Sequence, residues 1–416
     1  MKERPLRVAL VKDGEPFPQF IAPWTLRSGN LAVALAERGH NVTWYCSTFM
    51  HYEKSFYTTA DTTEERPEGY RMRLLHSGGY QRNISPQRYL HHARLGRKVY
   101  RELRENPTPD VIVCCVPIIE TALACWLYAR QHKVPLMLDI QDPWPEVFVT
   151  YAPARLQPLI RAALSPYFAL AGYLFAKADS VVSCSDGFLE WAHRLSGRTQ
   201  DASRDRVFYH GAHDVLGKIS PDPVLSTTGL RSLYAGAISR TYDLNPVLQY
   251  ATKAAERGDE HHLFLAGQGD RYQELRERYE RLPNVSFLGW LQREQVYALA
   301  QTCHLGWLPL ADDRDDFLPN KPFEYAALGL AIASSSRGEA GRLIERFDLG
   351  LSYQDADDLA RQLSSLTPSE PRLKSWQENG RRFFASHGDA KVCAAKFADH
   401  VEDVAKDLGM REEQGR

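Results

Sequence analysis

Short apolar runs alternate with amphipathic segments along the first half of the chain. The runs "RVALVK", "NVTWYC", "DVIVCCV", "LMLDI" and "SVVSCS" have the length and composition of buried strands. The segment "SGNLAVALAER" places Ala and Leu on one helical face, and Gly39 follows it as a stop signal. Strands that alternate with helices indicate a parallel sheet that is covered on both faces.

The alternation starts again after a break rich in Gly, Pro, Ser and Thr, "HGAHDVLGKISPDPVLSTTGL". The later strand-like runs are "SLYAGA", "HLFLAG", "VSFLG", "LGWLPL" and "LAIASSS". The pattern predicts an α/β protein with two Rossmann-like, doubly wound domains that face each other across a cleft. We expect the first domain over residues 1–218 and the second over 219–385. We expect a C-terminal amphipathic helix within 386–416 that packs back toward the first domain.

Composition supports two globular domains and narrows the classes of partner. The 416 residues are too many for one ordinary core, and 44% of them are hydrophobic. Lys and Arg total 51 against 52 Asp and Glu, so the balanced charge argues against a general nucleic-acid binder. The 7 cysteines have no zinc-type spacing, and we expect reduced, buried thiols.

No membrane-spanning helix or signal peptide is expected. The opening "MKERPLRVALVKDG" has no long apolar stretch after its charges. The apolar run from Ala162 to Ala176 is shorter than the roughly 20 residues that span a bilayer, and it contains Pro166 and Gly172.

The segment from Arg66 to Glu105 is locally basic, with ten Lys or Arg against three Asp or Glu and interleaved tyrosines. A nucleic-acid surface, a surface for anionic headgroups and an ordinary solvated helix all fit this composition. The run Ala162–Ala176 would add an apolar contact to a headgroup surface.

Ligands bind open α/β sheets at the carboxyl ends of the strands, so residues just after strands are the candidates for function. In the second half Gly236 and Ala237 follow one strand, with Arg240 as a clamp for phosphate. Gly267 follows the next strand. Trp290 follows another and either stacks on a base or packs on its own domain.

The stretch "LPNKPFEYAALG" predicts a helix of two turns between Asn320 as N-cap and Gly329 as stop. Lys321 lies in its first turn, where a cation suits a bound anion. Glu324 is a single acid in an otherwise apolar or small run. It is either a solvated surface residue or a ligand-binding carboxylate.

In the first half, "DIQDPWPEVF" places Asp139, Asp142 and Glu146 after a strand, with prolines that stiffen the loop. Paired acids are typical of acid/base catalysis, while capping or salt bridges fit the local pattern equally well.

Together these segments resemble the retaining GT-B glycosyltransferases of glycosyltransferase family 4 over nearly the whole chain. The resemblance rests on "LYAGAISR", "FLAGQGD", "NVSFLGWLQREQVYALAQTCHLGWLPL" and "LPNKPFEYAALGLAIASSS". In the first half, "LAVALAERGHNVTWYCSTFMH" and "DIQDPWPE" are similar to the bacterial surface-polysaccharide branch, the fucosaminyltransferase-like enzymes.

The resemblance implies a role for each matching residue. The family's second conserved glutamate falls on Glu324 and implies hydrogen bonds to the nucleotide ribose. The first falls seven residues earlier on Asp316, so Asp replaces Glu there. Arg240 and Lys321 are implied near the diphosphate, although the lysine that usually follows the arginine is absent. Further donor-side contacts are implied at Gly236, Ala237, Gly267, Trp290, Leu291, Phe317 and Leu318.

On the acceptor side, the resemblance implies that Asp142 contacts the donor sugar or the acceptor. His51 and the Arg27-Ser28-Gly29 loop are further candidates. The implied activity is retaining transfer of a hexosyl-type sugar from a nucleotide-diphosphate sugar, without metal or other cofactor. The implied acceptor is a lipid-linked glycan, at the cytoplasmic face of a bacterial membrane, in lipopolysaccharide or exopolysaccharide synthesis.

Two alternatives stay open at this point. A hydrolysing sugar-nucleotide epimerase would use the same diphosphate site. A non-catalytic partner subunit would keep the site without turnover, as Asp316 and the absent lysine favour.

Overall fold

The computed structural model describes residues 4–21, 24–150, 152–215, 220, 229–311 and 318–414, with side chains to residue 407. The chain divides into two compact units, one of residues 1–210 with 393–416 and one of residues 211–392. The predicted domain boundary between residues 218 and 219 lies outside the described residues.

The first unit is built on a sheet with strand order β10-β9-β8-β7-β1-β2-β6-β5 and a separate hairpin, β3–β4. Every pairing in the sheet is parallel except that of β5 with β6. Its strands are β1 (Arg7–Val11), β2 (Asn41–Ser47), β3 (Phe49–Met50), β4 (Ser55–Phe56), β5 (Thr62–Glu65), β6 (Arg71–Leu75), β7 (Val111–Val116), β8 (Leu136–Ile140), β9 (Ser180–Ser183) and β10 (Arg206–Val207).

Helices cover both faces of this sheet, as the apolar composition of its central strands requires. They are α1 (Pro18–Ile21), α2 (Arg27–Glu37), α3 (Pro86–Glu105), α4 (Ile119–His132), α5 (Glu146–Thr150), α6 (Gln157–Ala163), α7 (Ser165–Lys177) and α8 (Asp186–Ser196). The core on one face takes side chains from α3, α4, α7 and α8. The core on the other face takes side chains from α2 and from Phe397, Ala398, Val401 and Val404 near the C-terminus.

The second unit has an all-parallel sheet of order β13-β12-β11-β14-β15-β16. Its strands are β11 (Leu230–Ala235), β12 (His261–Ala266), β13 (Val285–Gly289), β14 (Leu305–Leu308), β15 (Ala331–Ser334) and β16 (Gly350–Ser352). Its helices are α9 (Asn245–Arg257), α10 (Tyr272–Tyr279), α11 (Arg293–Ala300), α12 (Lys321–Ala327), α13 (Glu339–Arg346), α14 (Ala356–Leu363) and α15 (Pro371–Phe383). A last helix, α16 (Ala390–Gln414), begins in this unit and continues in the first. The predicted fold class of two Rossmann-like α/β domains is confirmed.

Helix α12 occupies the predicted two turns, but its N-terminus differs from the prediction. Asn320 has helical backbone angles, and its side chain makes no capping hydrogen bond. Its carbonyl instead accepts the amides of Phe323 and Glu324. Gly329 ends the helix with φ of +72°, a conformation that glycine adopts without strain. The apolar residues of α12 are buried, as expected for a helix that packs on its sheet.

The seven cysteines are free and buried, as predicted. Within the described ranges, no single helix has the length and hydropathy of a membrane span. The consecutive segments Ala154–Ala163 and Ser165–Lys177 meet that test as a pair, with a bend of 65° between them.

Candidate functional site

Backbone hydrogen bonds join the loops that follow β11, β12 and β13. The amide of Gly236 donates to the carbonyl of Ala266 at 2.9 Å. The amide of Gly267 donates to the carbonyl of Gly289 at 2.7 Å. Gly267 has φ of +156°, and a Cβ there would collide with the carbonyl oxygen of Gly236. Packing between loops therefore requires glycine at this position, whether or not a ligand approaches it.

Lys321, the first residue of α12, contacts the loop that follows β11. Its side chain is buried, and Nζ donates a hydrogen bond to the carbonyl of Ala235. The ammonium also lies 4.8 Å from the ring centre of Tyr234 and 5.1 Å from that of Tyr242. A Cβ on Gly236 would collide with the ammonium, so glycine leaves the space that this cation fills. The sequence predicted Lys321 beside an anion but not its burial beneath the loop.

The Glu324 carboxylate lies one turn further along α12 and is half-buried. Among the described residues, no group donates a hydrogen bond to it or forms an ion pair with it. Burial lowers the pKa of Lys321, and the negative charge of Glu324 opposes that shift. Burial, together with the same charge, raises the pKa of Tyr297 to about 12. The Glu324 carboxylate is therefore a hydrogen-bond acceptor that receives no hydrogen bond from the described residues.

The other predicted donor-side residues differ in exposure. The side chain of Arg240 is 90% exposed, and its Nε lies 3.8 Å from Asp270 Oδ2. The side chain of Trp290 is 67% exposed, so most of its surface is not packed on its own domain. Leu318 is buried, Ala237 is exposed, and Gly236 and Leu291 are half-buried. Asp316 and Phe317 lie outside the described residues.

In the first unit, Asp139 forms a buried bidentate pair with Arg27. Nε and Nη2 of Arg27 donate to the two carboxylate oxygens at 3.0 and 2.8 Å. Burial alone would raise the pKa of Asp139, but Arg27 lowers it on balance. Glu146 is likewise paired, with Arg161. Both acids therefore form the ion pairs that the salt-bridge alternative predicts.

Asp142 is exposed and directly follows Gln141, which belongs to a chain of hydrogen bonds that the sequence interpretation did not identify. Lys12 Nζ donates to Gln141 Oε1 at 2.7 Å, and Gln141 Nε2 donates to Asp139 Oδ2 at 2.7 Å. Burial alone would lower the pKa of Lys12, but nearby groups that include Glu15 and Asp142 raise it. Lys12 directly follows β1 and Gln141 directly follows β8, so the strand-end rule would have found both.

Arg27, Ser28 and Gly29 were predicted as a loop, but they form the first turn of α2, where a buried acid holds them in place. Glu15 accepts the amides of Ser28 and Gly29 at 3.3 and 3.2 Å, at the beginning of α2. Burial raises the pKa of Glu15, and these bonds and Lys12 oppose the shift. The first turn of α2 therefore lies close to Lys12, with Glu15 between them.

His51 lies at a second, aromatic group of the same unit. Its Nδ1 is 2.6 Å from the hydroxyl of Tyr80, and burial lowers the pKa of His51 to about 4. With a pKa of about 4, His51 is neutral at pH 7. In the same group, Oδ2 of Asp13, in the loop after β1, lies 3.2 Å from Nε2 of His91. Across the residues that the structure describes, no group of three His, Cys, Asp or Glu side chains is arranged to hold a metal ion.

Comparison with known families matches each unit separately. Residues 25–207 match the family described as "Glycosyl transferase 4-like domain". Residues 231–368 match the family described as "Glycosyl transferases group 1". Together the two matches cover about three quarters of the chain. No curated protein sequence matches.

Several solved structures share the fold at low sequence identity. HepE from Anabaena, solved in complex with UDP, is 14% identical over 96% of this chain and 100% of its own, with a TM-score of 0.66. Sucrose-phosphate synthase from Thermosynechococcus elongatus is 17% identical over 98% of each chain, with a TM-score of 0.64. WaaG, a glycosyltransferase involved in lipopolysaccharide biosynthesis, is 16% identical over 95% of this chain and 99% of its own, with a TM-score of 0.58.

Proposed function

We propose that this chain, whose two units match glycosyltransferase domain families, transfers a sugar from a nucleotide-diphosphate sugar to an acceptor hydroxyl. The unused, half-buried carboxylate of Glu324 carries the donor assignment. A carboxylate only accepts hydrogen bonds, and the ribose of a nucleotide offers two adjacent hydroxyl donors. HepE, which shares the fold, was solved with UDP and with UDP-glucose, and this supports a nucleotide-sugar donor.

The diphosphate would take its positive charge from two differently placed cations. Arg240 is exposed and able to bind phosphate oxygens directly. Lys321 is fixed beneath Gly236, where its charge acts on the loop surface without a side-chain rearrangement. We expect no metal requirement, because these cations oppose the charge that develops on the leaving group.

The proposed reaction retains the anomeric configuration of a hexosyl-type sugar. The bond from the anomeric carbon to the diphosphate oxygen breaks, and the diphosphate leaves with the electron pair. The acceptor oxygen bonds to the anomeric carbon on the same face, and its proton passes to the leaving phosphate. Asp142, which is exposed directly after Gln141, would contact the donor sugar or the acceptor.

For the acceptor we propose a lipid-linked glycan in the synthesis of a bacterial surface polysaccharide, on the inner face of the plasma membrane. The similarity of "DIQDPWPE" to the fucosaminyltransferase-like branch supports it, as does the shared fold of WaaG.

A thermal-shift screen of nucleotide sugars tests the donor assignment, because a ligand of the folded state raises Tm by mass action. We expect one nucleotide class to raise the Tm of the wild type and to lose that effect in Glu324→Ala. Arg240→Ala should lower kcat with Tm unchanged. A nucleotide that stabilises both wild type and Glu324→Ala equally would contradict the ribose assignment.

The two other candidate functions have distinct products. An epimerase would release an epimerised nucleotide sugar without any acceptor. A non-catalytic subunit would bind a nucleotide sugar but would transfer nothing across a panel of acceptors.

A further inference from the structure

An open cavity of about 560 Å³ lies in the first unit, beside the N-terminus of α3. Its walls come from the hairpin β3–β4, from the loop between β6 and α3, and from the first turn of α3. A cavity of this size accommodates a small ligand such as one sugar residue. The lining residues that matter below are Phe49, Phe56, Gly79, Tyr80, Arg82 and Ile84.

The aromatic wall of the cavity is one connected group of rings. The ring centre of Phe49 lies 5.3 Å from that of Phe56 and 4.8 Å from that of Tyr80. Phe49 and Tyr80 are buried, whereas Phe56 is 38% exposed. A Cβ on Gly79 would collide with the Phe49 ring, so glycine lets the loop close against this wall. The exposed surface of Phe56 is therefore available to the apolar face of a ligand.

Three cations border the same cavity. Arg82 lines it and is exposed, and the ring centre of Tyr80 lies 4.8 Å from Lys54 Nζ and 5.3 Å from the Arg88 guanidinium. Lys54 Nζ and Arg88 Nη1 donate to the side-chain and backbone oxygens of Asn83, at 2.6 and 3.0 Å. Asn83 is uncharged, and none of the three cations forms an ion pair with a carboxylate in the described part of the chain.

The positive charge at this cavity is not neutralised by its surroundings. Residues 69 to 101 include no Asp or Glu. Burial lowers the pKa of Lys54, and the charge of Arg88 lowers it further. Nε of Arg88 is buried and has no hydrogen-bond partner among the described residues. Like charges this close disfavour each other, and a bound anion would offset that cost and supply acceptors for the free donors.

The cavity lies at the end of the sheet where the proposed acceptor side is. The hairpin follows β2 and the loop follows β6, and both strands run parallel to β1 and β8, which precede Lys12 and Asp142. The Arg88 guanidinium also lies 4.4 Å from the ring centre of Trp144, two residues after Asp142. The cavity is therefore adjacent to the loop that carries Asp142.

We propose that this cavity binds an acidic sugar of the acceptor glycan. Arg82 and the neighbouring cations bind its carboxylate or phosphate, and Phe56 packs on the apolar face of its ring. A free inorganic anion would use the cations alone and would leave Phe56 uncovered. This inference rests on the proposed glycosyltransferase function and narrows its acceptor to an anionic glycan. Its test measures no sugar transfer, so its failure is distinct from failure of the proposed function.

The test is an NMR titration of the full chain with four probes: methyl glucuronide, glucose 6-phosphate, neutral methyl glucoside and inorganic phosphate. We expect at least one acidic sugar to bind about tenfold more tightly than methyl glucoside, as one charge-assisted hydrogen bond implies. Tighter binding of the glucuronide would identify a carboxylate as the preferred group. Tighter binding of glucose 6-phosphate would identify a phosphate.

Two substitutions separate the charge from the ring. Arg82→Gln should raise the Kd of the acidic sugar about tenfold and leave that of methyl glucoside unchanged. Phe56→Leu should raise the Kd of both sugars about fivefold. The matched control is Arg97→Gln, which removes an exposed arginine of α3 outside the cavity lining and should bind as the wild type does. The Tm of each variant should stay unchanged, because the three side chains are exposed.

Three results would overturn the proposal. The first is the same Kd for the acidic sugars and methyl glucoside, or no detectable binding of any sugar. The second is the same Kd of the acidic sugar for Arg82→Gln and Arg97→Gln. The third is inorganic phosphate that binds as tightly as the acidic sugars while Phe56→Leu has no effect, which would assign the cations to a free anion.

Discussion

The substitution Glu324→Gln isolates the proposed contact with the nucleotide ribose. It keeps the size of the side chain, removes the negative charge and replaces one acceptor oxygen by a donor NH₂ group. The native carboxylate is half-buried and unpaired among the described residues, so no protein hydrogen bond is lost. We therefore expect the free energy of unfolding without ligand to change by no more than about 0.5 kcal/mol.

Nucleotide binding should change much more than stability. A hydrogen bond to a charged acceptor contributes about 1.5–3 kcal/mol, and at least one such bond is lost. The nucleotide Kd should therefore rise about 10- to 150-fold. Isothermal calorimetry with UDP, GDP and ADP measures the Kd of the wild type, of Glu324→Gln and of Glu256→Gln.

Glu256 is an exposed acid on α9 and is the matched control for the loss of one negative charge. Its substitution should leave every Kd unchanged. A Glu324→Gln variant that binds the preferred nucleotide as tightly as the wild type would refute the ribose role of this carboxylate.

Three further predictions concern the framework around the proposed sites. Gly267→Ala should lower the free energy of unfolding by about 2–4 kcal/mol, because φ is +156° and the Cβ collides with Gly236. Arg27→Ala should lower it by about 3–5 kcal/mol, because the Asp139 carboxylate stays buried without its partner. Burial lowers the pKa of His261 to about 3, so the folded state binds fewer protons than the unfolded state below pH 6.5. This one residue should therefore lower stability by up to about 1.4 kcal/mol per pH unit between pH 6.5 and about pH 3.

Urea unfolding of each variant checks these values against a matched control. Gly258 also has positive φ, but a Cβ there meets no atom within 4 Å, so Gly258→Ala should cost only about 1 kcal/mol. Arg4 pairs with Asp110 at the surface and is 74% exposed, so Arg4→Ala should cost at most about 1 kcal/mol. His261→Gln should remove the part of the pH dependence that His261 contributes. An equal loss of unfolding free energy in Gly267→Ala and Gly258→Ala would contradict the packing argument. An equal loss in Arg27→Ala and Arg4→Ala would contradict the argument from the buried ion pair.

Periodicity predicted the sheets because each strand is a continuous apolar run between turn residues. The runs around Val113 and Leu265 are buried on both faces of their sheets, as a parallel arrangement requires. Local pattern also located α12, since Pro322 fits only a first turn and Gly329 ends the helix.

Side-chain partners that are distant in sequence were beyond this reasoning. Arg27 and Asp139 are 112 positions apart, and nothing in either segment shows that they pair. The sequence placed Lys321 near an anion, but its burial follows from the space beneath Gly236. The apolar run singled out Glu324 as a lone acid, but its assignment to the nucleotide ribose came from the family resemblance.

The most direct test of the account is transfer itself. The wild type and Glu324→Ala are incubated with the nucleotide sugar that raises Tm most and with lipid-linked glycans extracted from bacterial membranes. Mass spectrometry then counts the nucleoside diphosphate released and the sugar added to glycan. We expect equal amounts of both products with the wild type and little of either with the variant. Nucleotide release without sugar in any glycan, or equal transfer by the variant, would contradict the account.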